Sequence, residues 1–214
     1  MDEEITIIDQ KTRNEKIKIF FIENKKLLIS ISTFLILILT SFYSYQIYKN
    51  RHIERLSNKY NNAVIDYEYG EKSKTILSMK EVIGDKNTTY SPLALYFLID
   101  NNLINDQEEI NKLFDILIEE TSLEKEIKNL IIYKKALFNS ESRSENDLLK
   151  ILKPIINSES IWKSHALYLL GEYFYSKNEK QKAKEFFNQI LISKNSNSDI
   201  KIESQKRINR DFGE

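Results

Sequence analysis

The sequence predicts an all-α protein: an N-terminal single transmembrane helix followed by a right-handed array of helical hairpins. Three observations predict it. Leu27 to Tyr48 (LLISISTFLILILTSFYSYQIY) runs without a charge, a Gly or a Pro. The 214 residues include only 4 Gly and 2 Pro, too few for the turns of a sheet protein. Beyond the apolar stretch, amphipathic segments alternate with short polar breaks at a spacing of roughly 34 to 36 residues, the mark of a two-helix repeat.

The uncharged stretch is long enough to cross a bilayer. At about 1.5 Å per residue its helix measures roughly 33 Å, against a hydrocarbon core of about 30 Å. Backbone polar groups in lipid must be satisfied within the segment, which leaves a helix as the workable form. Phe34 to Leu39 is wholly apolar, and Tyr43, Tyr45 and Tyr48 gather at one end, where amphipathic rings favour the interface. A buried core helix and a cleaved signal peptide are the rival readings. Against cleavage stand the preceding tail and the bulky Phe42-Tyr43-Ser44-Tyr45, where small residues should lie. The stretch reads as an uncleaved signal anchor. Lys11, Arg13, Lys16, Lys18, Lys25 and Lys26 precede it, and Lys49, Arg51, Arg55 and Lys59 follow. The bias places the N-terminus in the cytoplasm and the large domain across the membrane. Tail 1–26, span 27–48 and helical domain 49–214 are the expected divisions.

The first ten or so residues read as disordered and the rest of the tail as a short interfacial helix. After the span, Ile53, Leu56, Tyr60, Ala63, Val64 and Tyr67 recur at helical steps. No Gly or Pro interrupts 27–69, so one helix of roughly 65 Å is expected to end at Gly70 and to act as a strut. Further helices are expected near 72–83, 91–102, 107–119, 123–139, 145–156, 160–176, 179–192 and 199–209. Ser91-Pro92 reads as an N-cap followed by Pro at the first helical position. Pro154 should kink its helix or mark a late start.

One hairpin is legible residue by residue. Leu167, Leu170, Gly171 and Phe174, then Ala183, Phe187 and Leu191, fit the tetratricopeptide pattern, with small residues where the two helices approach. Asn178 stands where the pattern has Gly, and Asn195 where it closes with Pro. SPLALYFLIDNN and LEKEIKNLIIYKKALF keep the amphipathic period without the Gly–Ala pair. A short basic tail (KIFFIENKK), one uncleaved span and degenerate tetratricopeptide-like hairpins together resemble the YfgM family. These are bacterial inner-membrane proteins, ancillary subunits of the SecYEG translocon. The resemblance covers nearly the whole chain, in architecture and order more than in identical residues. It implies a single-pass anchor in the bacterial cytoplasmic membrane, a periplasmic repeat domain, and work beside the translocon and periplasmic chaperones. Membrane-anchored relatives of alpha-proteobacterial type share the architecture.

Little in the sequence points to catalysis. Lys+Arg and Asp+Glu are equal at 32 each, which favours no nucleic-acid partner. The absence of Cys excludes disulfides, thiol catalysis and cysteine–zinc sites. His52 follows the span, and His165 has no second ligand at metal spacing; both read as ordinary histidines. No Ser–His–Asp order, Gly-rich phosphate loop or HExxH stretch occurs. No catalytic residue, metal, cofactor or small-molecule substrate is therefore expected. Binding of protein partners is the remaining reading, with self-association in an envelope scaffold as the alternative. His165, Tyr168, Glu172 and Tyr175 would line the groove of the legible hairpin, unless the neighbouring hairpin or the final helix covers them. Trp162 reads as core.

Overall fold

The computed structural model describes residues 15–213, and every regular element among them is helical. The expectation for the first ten residues lies outside that range. The chain divides into two compact units, one up to Arg55 and one from Leu56 onward.

The first unit holds α1 (residues 15–23) and the N-terminal part of α2 (Lys25–Glu68). Asn24 joins them, its backbone N–H and its Nδ2 both donating to the Phe20 carbonyl, at 3.0 and 2.9 Å. Helix α2 is continuous, as the lack of Gly and Pro predicts. Its most apolar window has a mean hydropathy of 2.0 and is 0 % buried. Thr33 and Thr40 turn their hydroxyls inward, each donating at 2.9 Å to the carbonyls of Ile29 and Ile36. Both polar groups are thus satisfied within the segment, as lipid requires.

The second unit takes up the end of α2 and continues through α3 (Lys72–Gly84), α4 (Tyr90–Asp100), α5 (Gln107–Asp115) and α6 (Lys125–Asn139). It then runs through α7 (Glu145–Ile156), α8 (Lys163–Ser176), α9 (Lys180–Ile192) and α10 (Ser198–Asp211). Left-handed residues end several helices. Gly70 has φ 86°, its N–H donates to Tyr67 O at 3.0 Å, and Glu71 N–H donates to Asp66 O at 2.9 Å. Asn102 and Asn178 repeat this closure with φ 50° and 62°. After α3 a side chain completes it. Asn87 N–H donates to Ser91 Oγ at 2.9 Å, and that hydroxyl donates to Val82 O at 2.8 Å. Ser91 is therefore a buried relay and not the expected N-cap. Asn87 Oδ1 caps α4 instead, accepting from Thr89 and Tyr90 N–H at 2.9 and 3.0 Å. Pro92 lies in the first turn, where its missing N–H loses nothing.

Two other expectations are corrected. The helix expected over 107–119 is α-helical only to Asp115 and then widens into a π turn at Ile116–Glu120. Ile116, Leu117 and Ile118 all meet the core in succession, and a wider turn draws three consecutive side chains toward one side. Helix α7 starts at Glu145, capped by the Ser144 hydroxyl, so Pro154 marks no late start. It sits in the last turn, and the helix stops two residues later.

Two apolar clusters form the core, and α6 divides them. Ile131 belongs to the cluster built on α3 to α5, Ile132 to the one built on α7 to α9. Packing follows chain order, with α6 also meeting α8, and α8 meeting α10. Several polar contacts join residues 34 to 37 apart. Arg143 pairs with Glu108 (35 apart), Ser160 with Glu126 (34), Lys182 with Glu145 (37) and Arg207 with Glu172 (35). In the last hairpin Leu167, Leu170, Gly171, Phe174, Ala183 and Phe187 are all buried, while Ile190, not Leu191, is the fully buried residue that follows. The end of α9 needs no Pro: Ser196 Oγ donates to Ile190 O, and Asn197 Oδ1 caps α10.

A reciprocal amide pair ties α5 to α6 inside the fold. Asn111 Nδ2 donates to Asn139 Oδ1 at 3.0 Å, and Asn139 Nδ2 returns a bond at 2.8 Å. Asn139→Leu should cost about 1–3 kcal/mol in urea unfolding of the detergent-solubilised chain, because it strands the buried Asn111 amide. Adding Asn111→Leu should recover part of the loss; a double variant no better than the single one would show that the pairing is incidental.

Candidate functional site

Two surfaces of the hairpin unit are candidates for partner binding. The first is the face of α8 that the sequence singles out. His165, Tyr168, Glu172 and Tyr175 are all half-buried there, spaced along one side of the helix. His165 turns toward α6: its ring lies 5.1 Å from Trp162 and 5.9 Å from Tyr133, which stacks on Trp162 at 5.9 Å. Burial lowers the His165 pKa, against a smaller rise from the Ile161 carbonyl. Tyr168 lies edge-on to Phe187 at 5.5 Å. Its phenol is pushed up to about 12, first by burial and then by the charges of Glu172 and Glu203.

Helix α10 covers the rest of this face. Arg207 grips Glu172 with two bonds, Nε to Oε1 at 2.6 Å and Nη2 to Oε2 at 2.5 Å, and donates to Asp211 Oδ2 at 2.6 Å. The same guanidinium lies 4.5 Å over the Tyr175 ring, and Phe212 meets that ring edge-on at 5.8 Å. The Glu172 hydrogen bond raises the Arg207 pKa further.

The lock has a pH dependence whose sign follows from Asp211. Hydrogen bonding from Arg210, reinforced by the charge of Arg207, holds its carboxyl below the ordinary value of 3.8. A depressed folded-state pKa contributes stability above the unfolded value and loses it as pH falls through the folded one. Amide exchange, corrected for intrinsic rates, should therefore find α10 equally protected from pH 7 to 5 and opening below about pH 4. Asp211→Asn should lower the protection of α10 at pH 7 and shrink that acid transition, leaving the part that Glu172 carries.

The second surface is an open cleft of about 430 Å³ between α5, its π turn, α6 and α7. Ile118, Ile132, Ile151 and Pro154 supply its apolar lining. Its rim carries Lys135, 2.5 Å from Asp115, and Arg143, which pairs with Glu108. Glu119, Asp147 and Lys150 complete the charged edge. No family model matches this chain, and no curated protein or solved structure matches it. Among the described residues, no three His, Asp or Glu side chains gather where a metal ion could be held. The cleft presents mixed charges around an apolar floor, a surface suited to a polypeptide segment. Sequence spacing misses it because its walls come from elements that meet only through stacking. The one signal is Asn111, a polar residue of the lining that is nevertheless buried.

Proposed function

We propose that this chain is a membrane-anchored protein-interaction module. In this reading α2 crosses the bacterial cytoplasmic membrane once, with the N-terminus in the cytoplasm, and the hairpins form a right-handed tetratricopeptide-like array in the periplasm. The observation that supports the proposal is an apolar, 0 % buried window of α2 followed by a helical unit in which polar pairs join residues 35 to 37 apart. Anchoring confines weak binding faces near membrane complexes and so raises their effective concentration. The resemblance to the YfgM family supplies the partners, a SecYEG-type translocon and periplasmic chaperones.

Photo-crosslinkers at Glu119 and Lys150, on the cleft rim, test the reading in intact membranes. Adducts with translocon subunits or chaperones are expected. Adducts only between copies of the chain would replace recruitment by a self-associating scaffold. Protease added to spheroplasts should digest the hairpin unit; its protection would reverse the orientation.

A further inference from the structure

A cationic face stands immediately beyond the apolar stretch of α2. Tyr48, Arg51, His52 and Arg55 line a cleft of about 270 Å³, all within the unit that ends at Arg55. Steps of three and four residues put them on one side of the helix. Arg55 Nη2 lies 3.1 Å from His52 Nδ1. A guanidinium only donates, so Nδ1 is the acceptor and the imidazole proton sits on Nε2, available to a ligand. Apart from the lone pairs of the Tyr48 hydroxyl, the polar groups of the cleft are then donors. No carboxylate lines it.

The position along the helix specifies the ligand. Ile47 is the last apolar residue of the stretch, and Tyr48 to Arg55 covers roughly 10 Å of axis, enough to traverse a headgroup layer of about 5–7 Å. Helical side chains lean toward the N-terminus. Arg51 and Arg55 follow the span and therefore lean back toward the bilayer, whereas Lys25 and Lys26 precede it and lean away. A guanidinium at that depth meets lipid phosphate, which it binds with paired hydrogen bonds. We propose that Tyr48, Arg51, His52 and Arg55 form a binding site for the phosphate of an anionic lipid headgroup. The site rests on α2 crossing a bilayer.

The test uses the full chain, solubilised with equal phosphatidylglycerol and phosphatidylcholine, with retained lipid counted by native mass spectrometry. One phosphatidylglycerol should be kept in preference to phosphatidylcholine. Arg51→Gln/Arg55→Gln should weaken its retention about tenfold, with helicity unchanged by circular dichroism, while Lys25→Gln/Lys26→Gln should leave it as it was. Equal retention of the two lipids, or equal loss in the lysine variant, would overturn the site. Displacement of the lipid by millimolar inorganic phosphate would reassign it to a free anion. Alkaline carbonate extraction separates the two levels: release of the chain sinks the membrane reading itself, whereas a carbonate-resistant chain without lipid preference sinks only the site.

Discussion

Replacing Ile36 and Leu39 together by Arg should release the protein from the membrane. Five Leu, five Ile and two Phe carry the stretch Leu27–Tyr48. On an insertion scale each favours the bilayer by roughly 0.3–0.6 kcal/mol, about 4–7 kcal/mol for the set before the polar residues subtract. An Arg near the helix centre costs roughly 2.5–3.5 kcal/mol, so two of them cancel the whole gain while removing two apolar contributors. Positions 36 and 39 lie near the midpoint of the span and one turn apart, so neither side chain can snorkel easily to an interface. Alkaline carbonate should extract the double variant and leave Ile36→Ala/Leu39→Ala in the pellet. The hairpin unit should keep its helicity in both, because the apolar window is 0 % buried and supports no core. A carbonate-resistant arginine variant would refute the assignment of this stretch as the segment that holds the chain in the membrane. A variant that unfolds the hairpins would mark the stretch as a core helix.

Helix positions were legible because their signals are local. Glu145–Ile156 coincides with the expected 145–156, set by an amphipathic period between Ser144 and Asn157. Lys72–Gly84 extends the expected 72–83 by one residue. The left-handed closures at Gly70 and Asn178 were legible for the same reason, since only the residue at the turn decides them. The misreadings sit where a distant group intervenes. Ser91 looks like a cap until Val82, nine residues earlier, claims its hydroxyl. The π turn at Ile116–Glu120 brings three consecutive residues, Ile116, Leu117 and Ile118, to the core that helices distant in sequence build. The face of His165, Tyr168, Glu172 and Tyr175 was legible as one helix side. Its cover by the final helix was one of the expected alternatives; the Arg207–Glu172 grip that fastens it was not legible, because it joins residues 35 apart. The cleft between α5, α6 and α7 is likewise a product of stacking, not of any local run.

Phe187→Ala should destabilise the hairpin unit by about 3–5 kcal/mol, the range for a large aromatic removed from a filled core. The ring is 0 % exposed and lies between Tyr168, at 5.5 Å, and Phe212, at 6.1 Å. It also meets Gly171, where an added Cβ would stand 2.6 Å from Cε1 and 2.7 Å from Cζ. The glycine of the tetratricopeptide-like pattern is therefore small to admit a ring, beyond letting two backbones approach. This gives the pair an inverted sign. Gly171→Ala alone gains roughly 1 kcal/mol of helix propensity but should lose about 1–3 kcal/mol to overpacking, since the enclosed ring has nowhere to swing. In the Phe187→Ala background the obstruction is gone, and the same substitution should stabilise by roughly 1 kcal/mol. Urea unfolding of the four chains yields the coupling directly. If Gly171→Ala costs the same in both backgrounds, the glycine answers to the backbone of α9 and not to Phe187.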